Sequence, residues 1–354
     1  MNQQASAASR KRGSSGHARL LADIGGTNIR LAWQAAPGAP FQDEHKLRCA
    51  DFPGLQDAVQ AYLDNAGIAA PPHAAFGIAT PVTGDQVRMT NSDWEFSQKE
   101  LQAHFGFQRF VLINDFTALA LAVPQLEPGL LRQVGGGAAV QGAAIALIGP
   151  GTGLGVSGLV FGLDAKRGTP IAGEGGHATL AAQTRFEFEV LEHLRQRFGH
   201  VSAERAVSGD GLVNLFHAVR AVEGLSASDI TDPAAVSALA LQENDASALR
   251  ALELLCAFLG GVAGDLALTL GARGGVYLGG GIVPRLGTWF DSSPFRARFE
   301  AKGRYEDYLK PIPCWVVDAS AAPALLGAAR ALDLVDAEPG SGGRTRVIKG
   351  DVAN

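Results

Sequence analysis

Apolar and polar positions along residues 20–33, LLADIGGTNIRLAW, predict a tight β-hairpin. Leu20, Leu21 and Ala22 form an apolar run that Asp23 interrupts, and Gly25-Gly26-Thr27 makes the turn. Ile29, Leu31 and Trp33 then recur at intervals of two. The plan returns at 143–161, AAIALIGPGTGLGVSGLVF, as apolar strand, Gly/Thr turn and β-branched strand. Further strands are predicted over 41–49, 74–79, 110–113, 275–278 and 312–317. Helical spacing marks 52–65, where Leu55, Val59 and Leu63 share a face and Gly67 supplies the stop. Other helices are predicted at 117–122, near 186–198, 211–222, 234–243 and 246–270, and over 323–334. The first half reads β-β-β-α-β-α-β-α and the second repeats it more loosely, as in a mixed α/β protein with helices packed on sheets.

At 354 residues the chain is long enough for two full cores. Hydrophobic residues at 47%, against 18% charged, describe an ordinary soluble protein, and the net charge of −5 argues against a nucleic-acid partner held by phosphate contacts. The most apolar stretch, 254–270, contains Asp265 and several glycines, which points to a buried core helix ahead of a membrane span. Cys49, Cys256 and Cys314 are scattered, with no CxxC pair, so a zinc site or disulfide framework is not expected and a reducing cytosol is. Residues 1–17, with Arg10, Lys11 and Arg12 among Gln, Ser, Ala and Gly, are expected to be a disordered leader, and 337–354 a disordered tail.

Three glycine turns follow apolar strands, at 25–26, 149–155 and 279–281. Bare turns of this kind present backbone N–H groups to an anion, and Asp23 stands where a carboxylate can orient a hydrated Mg²⁺ on it. None is a P-loop, since Gly-Lys-Ser/Thr does not occur, and the alternative is three unrelated sheet-edge turns among 45 glycines. Asn114-Asp115 ends a strand, where α/β proteins place ligands. Asp115 can take a proton from a substrate hydroxyl; taken alone, it reads more simply as the N-cap of the helix after it. Glu174 and His177, on a glycine-flexed loop, can bracket neighbouring hydroxyls as acceptor and donor, or be solvated and idle. Glu204 by spacing alone is a helix-surface position. The polar segment 81–94 can cover a sugar or peptide site, or be a β-meander with a surface loop.

DIGGTN at 23–28, INDF at 113–116, GPGTGLG at 149–155, GEGGH at 173–177, SAER at 202–205 and GGGIVP at 279–284 occur together in this order. In that set the chain resembles the bacterial, proteobacterial-type ATP-dependent glucokinases, over about 20–334. The resemblance implies an α/β, two-domain, actin-like/hexokinase-type (ribonuclease H-like) fold on related five-stranded cores, with the active site in the cleft between domains that close on the sugar. Residues 18–114 with 319–336 are expected to form the small domain, and 115–318 the large one. A homodimer is expected.

Carried over by position, the sugar ligands are Asn114, Asp115, Glu174, His177 and Glu204, with Asp115 the catalytic base. ATP is expected on Asp23, Gly25, Gly26, Thr27 and Asn28, on Gly149, Gly151, Thr152 and Gly153, and on Gly279, Gly280 and Gly281. Mg²⁺ is expected at Asp23 through water. The implied reaction moves the γ-phosphoryl group of ATP to the 6-hydroxyl of glucose. A kinase of mannose or an N-acetylated hexosamine, or a silent sugar sensor, stands as the alternative. Ser92 departs from the pattern, since relatives often carry His there. The Cys-rich zinc motif of the neighbouring repressor/kinase group is absent, and no helix-turn-helix segment precedes Leu20.

Overall fold

The structure, a computed structural model, describes residues 17–90, 92–162, 168–318 and 323–336. The expected leader (apart from His17) and the expected tail lie outside the described residues. Two units emerge: residues up to Pro124 together with the C-terminal helix Pro323–Asp336, and residues from Gln125 to Asp318.

In the first unit the elements are β1 Arg19–Ile24, β2 Asn28–Gln34, β3 Phe41–Arg48, α1 Leu55–Ala66, β4 His73–Ile78, β5 Gln86–Arg88, β6 Glu95–Ser97, α2 Gln98–Phe105, β7 Arg109–Asn114 and α3 Asp115–Ala122. The main sheet runs β3-β2-β1-β4-β7, antiparallel across the first three strands and parallel from β1 through β4 to β7. The predicted hairpin is β1–β2, with Leu20, Ala22, Ile29 and Leu31 all buried. Gly67 ends α1 in the left-handed region at φ 64°, as a helix stop of this type requires. Segment 81–94 contributes β5, which pairs with β6 as a separate small hairpin.

The expected domain crossing after Asn114 needs correction, because α3 belongs with the first unit. The reason is close backbone packing. A Cβ on Gly327 of the C-terminal helix would lie 1.8 Å from the Ala118 carbonyl oxygen, so only glycine lets that helix lie on α3. The helix is further tied to β1 by the buried Arg19, whose guanidinium meets Asp333 Oδ1 at 2.6 Å.

The second unit contains β8 Leu131–Gln133, β9 Ile145–Pro150, β10 Leu154–Phe161, β11 Gly168–Gly173, α4 Arg185–Phe198, α5 Gly209–Val222, α6 Pro233–Leu241, α7 Ala246–Leu270, β12 Val276–Leu278, α8 Ile282–Arg285, α9 Phe295–Glu300, α10 Glu306–Leu309 and β13 Cys314–Val317. Its sheet, β11-β10-β9-β12-β13-β8, repeats the strand order and directions of the first sheet over its first five members. The expected five-stranded core is extended here to six strands, because the short β8 adds antiparallel to β13. The apolar helix α7 is long enough to cross a membrane by length and composition, yet 67% of its most apolar window is buried inside the protein. Leu252, Leu255, Cys256, Leu259 and Ala263 line up on one side of it as the spine of this unit's core.

Candidate active site

Parallel pairing of β1, β4 and β7 sets Asp23, Gly77 and Ile113 in one row and Ile24, Ile78 and Asn114 in the next. Asp23 and Asn114-Asp115 thereby leave the sheet at the carboxyl ends of the parallel strands β1 and β7, with β4 between them, where sheets of this kind place ligands. The turn between β1 and β2 is braced from within its own unit. Gly25 N–H donates to Asn28 O at 2.9 Å, and Cys49 N–H donates to Thr27 O at 2.9 Å.

Asn114, not Asp115, is the cap of α3. Its Oδ1 accepts from the N–H groups of Phe116 at 2.9 Å and Thr117 at 3.3 Å. Its Nδ2 donates to Asp115 Oδ1 at 3.0 Å, an oxygen that also accepts from Phe116 N–H at 2.9 Å. The helix-cap reading of Asp115 is therefore corrected. Burial, and then the charge of Asp23, push the Asp115 carboxyl up to about 7 against the hydrogen bonds that favour its charged form. Asp23 is also pushed up by burial, while Arg30, its partner across the hairpin, opposes the shift.

Two carboxyls whose proton affinity is raised by burial, that of Asp115 further by the charge of Asp23, form an all-oxygen, hard donor set to which a divalent cation adds compensating charge. Among the described residues no group of three or more His, Cys, Asp or Glu is placed to hold a metal. A Mg²⁺ carried mainly by nucleotide phosphates and water would need few protein ligands, and the Asp23 carboxylate would be a hard oxygen donor for it.

In the second unit, Glu174 follows β11 and opens a 3-10 turn over Gly175–His177. Glu204 lies on another, Ala203–Arg205. Leu180 N–H donates to Val201 O at 3.0 Å and Ala203 N–H to Ala178 O at 2.9 Å, which holds the two turns side by side. His177 Nδ1 stands 3.9 Å from Glu204 Oε1. Burial pushes Glu174 up, His177 counters it, and the charge of Glu204 adds to it, so the three polar groups share one neighbourhood. Glu204 is half-buried rather than the helix-surface residue that spacing suggested, and its Oε2 accepts from Leu154 N–H at 2.9 Å.

The glycine turns of this unit converge. Gly280, at φ 74°, would place a Cβ 2.3 Å from Pro150 O, so the turn at 279–281 packs directly on the turn at 149–155. Gly151 N–H donates to Gly153 O at 2.8 Å, and Gly209 N–H donates to Gly151 O at 2.8 Å. The start of α5 therefore abuts the turn, with Ser208 as its cap through Oγ to Gly211 N–H at 2.9 Å. Backbone N–H groups at glycine turns beside a helix start are suited to phosphate oxygens.

The glucokinase family model matches residues 20–335. The glucokinase of Aromatoleum aromaticum is 54% identical over 316 residues, covering 89% of this chain and 94% of its own length. That of Chromobacterium violaceum is 50% identical over 311 residues, 88% of each chain. The solved structure of a glucokinase from an Antarctic psychrotroph superposes with a TM-score of 0.81 at 37% identity, over 90% of this chain and 99% of that one. The chain belongs to the glucokinase family.

Within this glucokinase-family chain the predicted residues fall into two sets. Asp23, Asn114 and Asp115 gather at the strand ends of the first unit. Glu174, His177 and Glu204 gather beside the turn at 149–155 in the second, on which the turn at 279–281 packs. Sequence reasoning did not find the Leu154 backbone or the Ser208-Gly209 start of α5. A signal for the latter exists, since Ser208 precedes the apolar run Leu212, Val213, Leu215 and Phe216. Ser92, the departure noted above, accepts a long 3.4 Å bond from Trp94 N–H within its own turn.

Proposed function

We infer that this chain transfers the γ-phosphoryl group of ATP to the 6-hydroxyl of glucose, with Asp115 as the base. The observation that carries this reading is the Asp115 carboxylate, aimed by Asn114 at the carboxyl end of β7, with burial and the charge of Asp23 pushing it up to about 7. The sugar oxygen attacks the γ-phosphorus as the bond to the β,γ-bridging oxygen breaks. Its proton passes to Asp115, and ADP leaves with the bridging oxygen. Glu174, His177 and Glu204 hold ring hydroxyls by paired hydrogen bonds, so a sugar lacking one of them leaves a protein group unpaired. N–H groups of the glycine turns take charge from the phosphates. Mg²⁺, held through water at Asp23, supplies positive charge to the β- and γ-phosphates when bound.

A homodimer belongs to the same proposal. An intracellular setting suits three buried, unpaired thiols. The test of substrate is an ADP-release assay over glucose, mannose, fructose and N-acetylated hexosamines, with and without Mg²⁺. Glucose is expected to be turned over best and only with the metal. A different sugar turned over far better than glucose would overturn the substrate assignment while leaving the family intact.

A further inference from the structure

Gly153 belongs to a turn read as nucleotide-binding, yet its nearest neighbour is a sugar ligand. A Cβ at position 153 would stand 2.5 Å from Glu204 Oε2 and 3.3 Å from its Cδ. The same Oε2 accepts the N–H of Leu154, the next residue of the turn, at 2.9 Å. The carboxylate thus lies against the bare backbone of the turn, in space that any side chain at 153 would occupy. The chain around Glu204 is tied to the same place. Ser208 Oγ donates to Glu204 O at 2.8 Å, and Gly209 N–H donates to Gly151 O at 2.8 Å. The other carboxylate oxygen, Oε1, is 3.9 Å from His177 Nδ1.

We propose that Gly153 is a positioning residue for the sugar: its missing side chain lets the nucleotide turn hold Glu204 through the Leu154 N–H. The inference rests on the reading of Glu204 as a hexose ligand. Its physical content is a separation of fold from site. The atoms that a methyl group at 153 would meet are the far end of a flexible side chain, so the carboxylate yields and the backbone stays. What is lost is the charge-assisted bond from Leu154 and, with it, the aim of Glu204. The two ligand sites of this unit therefore share one hydrogen bond, and any coupling through it acts equally in both directions.

The test is calorimetric titration of glucose into the full chain without nucleotide, in wild type, Gly153→Ala, Gly151→Ala, Glu204→Ala and the Gly153→Ala/Glu204→Ala double variant. Gly153→Ala is expected to keep its thermal midpoint and weaken glucose binding by about 10- to 100-fold, the size of one hydrogen bond to a charged group. Gly151→Ala is the control from the same turn. A Cβ there meets nothing within 4 Å, so glucose affinity should match wild type whatever happens to the nucleotide. The double variant should bind no more weakly than Glu204→Ala alone, since both changes act through one carboxylate. Wild-type glucose affinity in Gly153→Ala, additive losses in the double variant, or a Gly153→Ala chain that does not fold would each overturn the proposal. Normal glucose binding by Glu204→Ala would overturn the sugar-ligand reading itself, a result distinct from the other three.

Discussion

Asn114 donates its side-chain N–H to Asp115 Oδ1 at 3.0 Å while its own oxygen caps the helix that Asp115 begins. One amide thus does two jobs that call for different atoms. The oxygen satisfies orphan N–H groups at the start of α3, and the nitrogen holds a carboxylate in one orientation. Asp115, whose Oδ1 shares the Phe116 N–H, is thereby not needed as the cap.

That division makes Asp115→Asn a clean substitution. The cap stays with Asn114, so α3 and the thermal midpoint should survive. Turnover should fall by about 10²- to 10⁴-fold, because an amide cannot take the hydroxyl proton. Glucose affinity by calorimetry should change far less. Near-normal turnover would remove Asp115 as the base.

Asn114 separates the two jobs when it is replaced. Asn114→Ala loses the cap, at about 1 kcal/mol of stability, and frees the Asp115 carboxylate to rotate. Asn114→Asp keeps an N-cap acceptor but substitutes a second charge for the donor. The acid limb of kcat/KM should then move to higher pH, since a like charge beside Asp115 raises its proton affinity further. An unmoved limb would mean that Asn114 does not act on this carboxyl.

Asp115 also predicts how wild-type activity and stability depend on pH. With its carboxyl pushed up to about 7, kcat/KM for glucose should rise with pH through that value and then level. Stability of the unliganded chain runs the other way. The folded state binds this proton more tightly than the unfolded chain, so the contribution is fully present below about pH 4 and is lost as pH rises through about 7. Asp115→Asn removes that loss. It should be more stable than wild type at pH 8 by something on the order of 1 kcal/mol, allowing for solvent screening of a half-buried group. Denaturant melts at pH 5 and pH 8 would show it, and an equal difference at both would refute it.

Gly327 links the C-terminal helix to α3, the helix that Asp115 begins. A methyl group there would collide with the Ala118 carbonyl at 1.8 Å, and backbone cannot swing aside as a side chain can. Gly327→Ala should cost about 3 kcal/mol, the upper end for overpacking, and should lower turnover by displacing α3. Denaturant melts beside a turnover assay check both, and a variant as stable and active as wild type would show that the two helices have room to separate.

Much of this fold is local in origin and was legible from the sequence alone. The period-two run of Ile29, Leu31 and Trp33, the stop at Gly67 and the bare turns at 25–26, 149–155 and 279–281 are each set by a few neighbouring residues. The repeat of one hairpin plan in both halves foretold two sheets with the same strand order. Short elements such as β8, β11 and α8 to α10 escaped, because three to six residues carry too little periodicity. They are held instead by partners far along the chain, β8 by β13 and β11 by β10.

What the tertiary structure alone decided is the state of the functional groups. The sequence places an acid after Asn114, but its carboxyl is pushed up to about 7 by burial and then by the charge of Asp23, 92 residues earlier in the chain. Glu204 has the spacing of a surface residue; a backbone N–H 50 residues away holds its carboxylate against the turn at 149–155. Periodicity and turn chemistry act over a few residues and can be read along the chain. Burial, like-charge proximity and the close approach that glycine permits arise only when distant segments meet, and in this protein those effects raise the Asp115 carboxyl and hold the Glu204 carboxylate against a backbone turn.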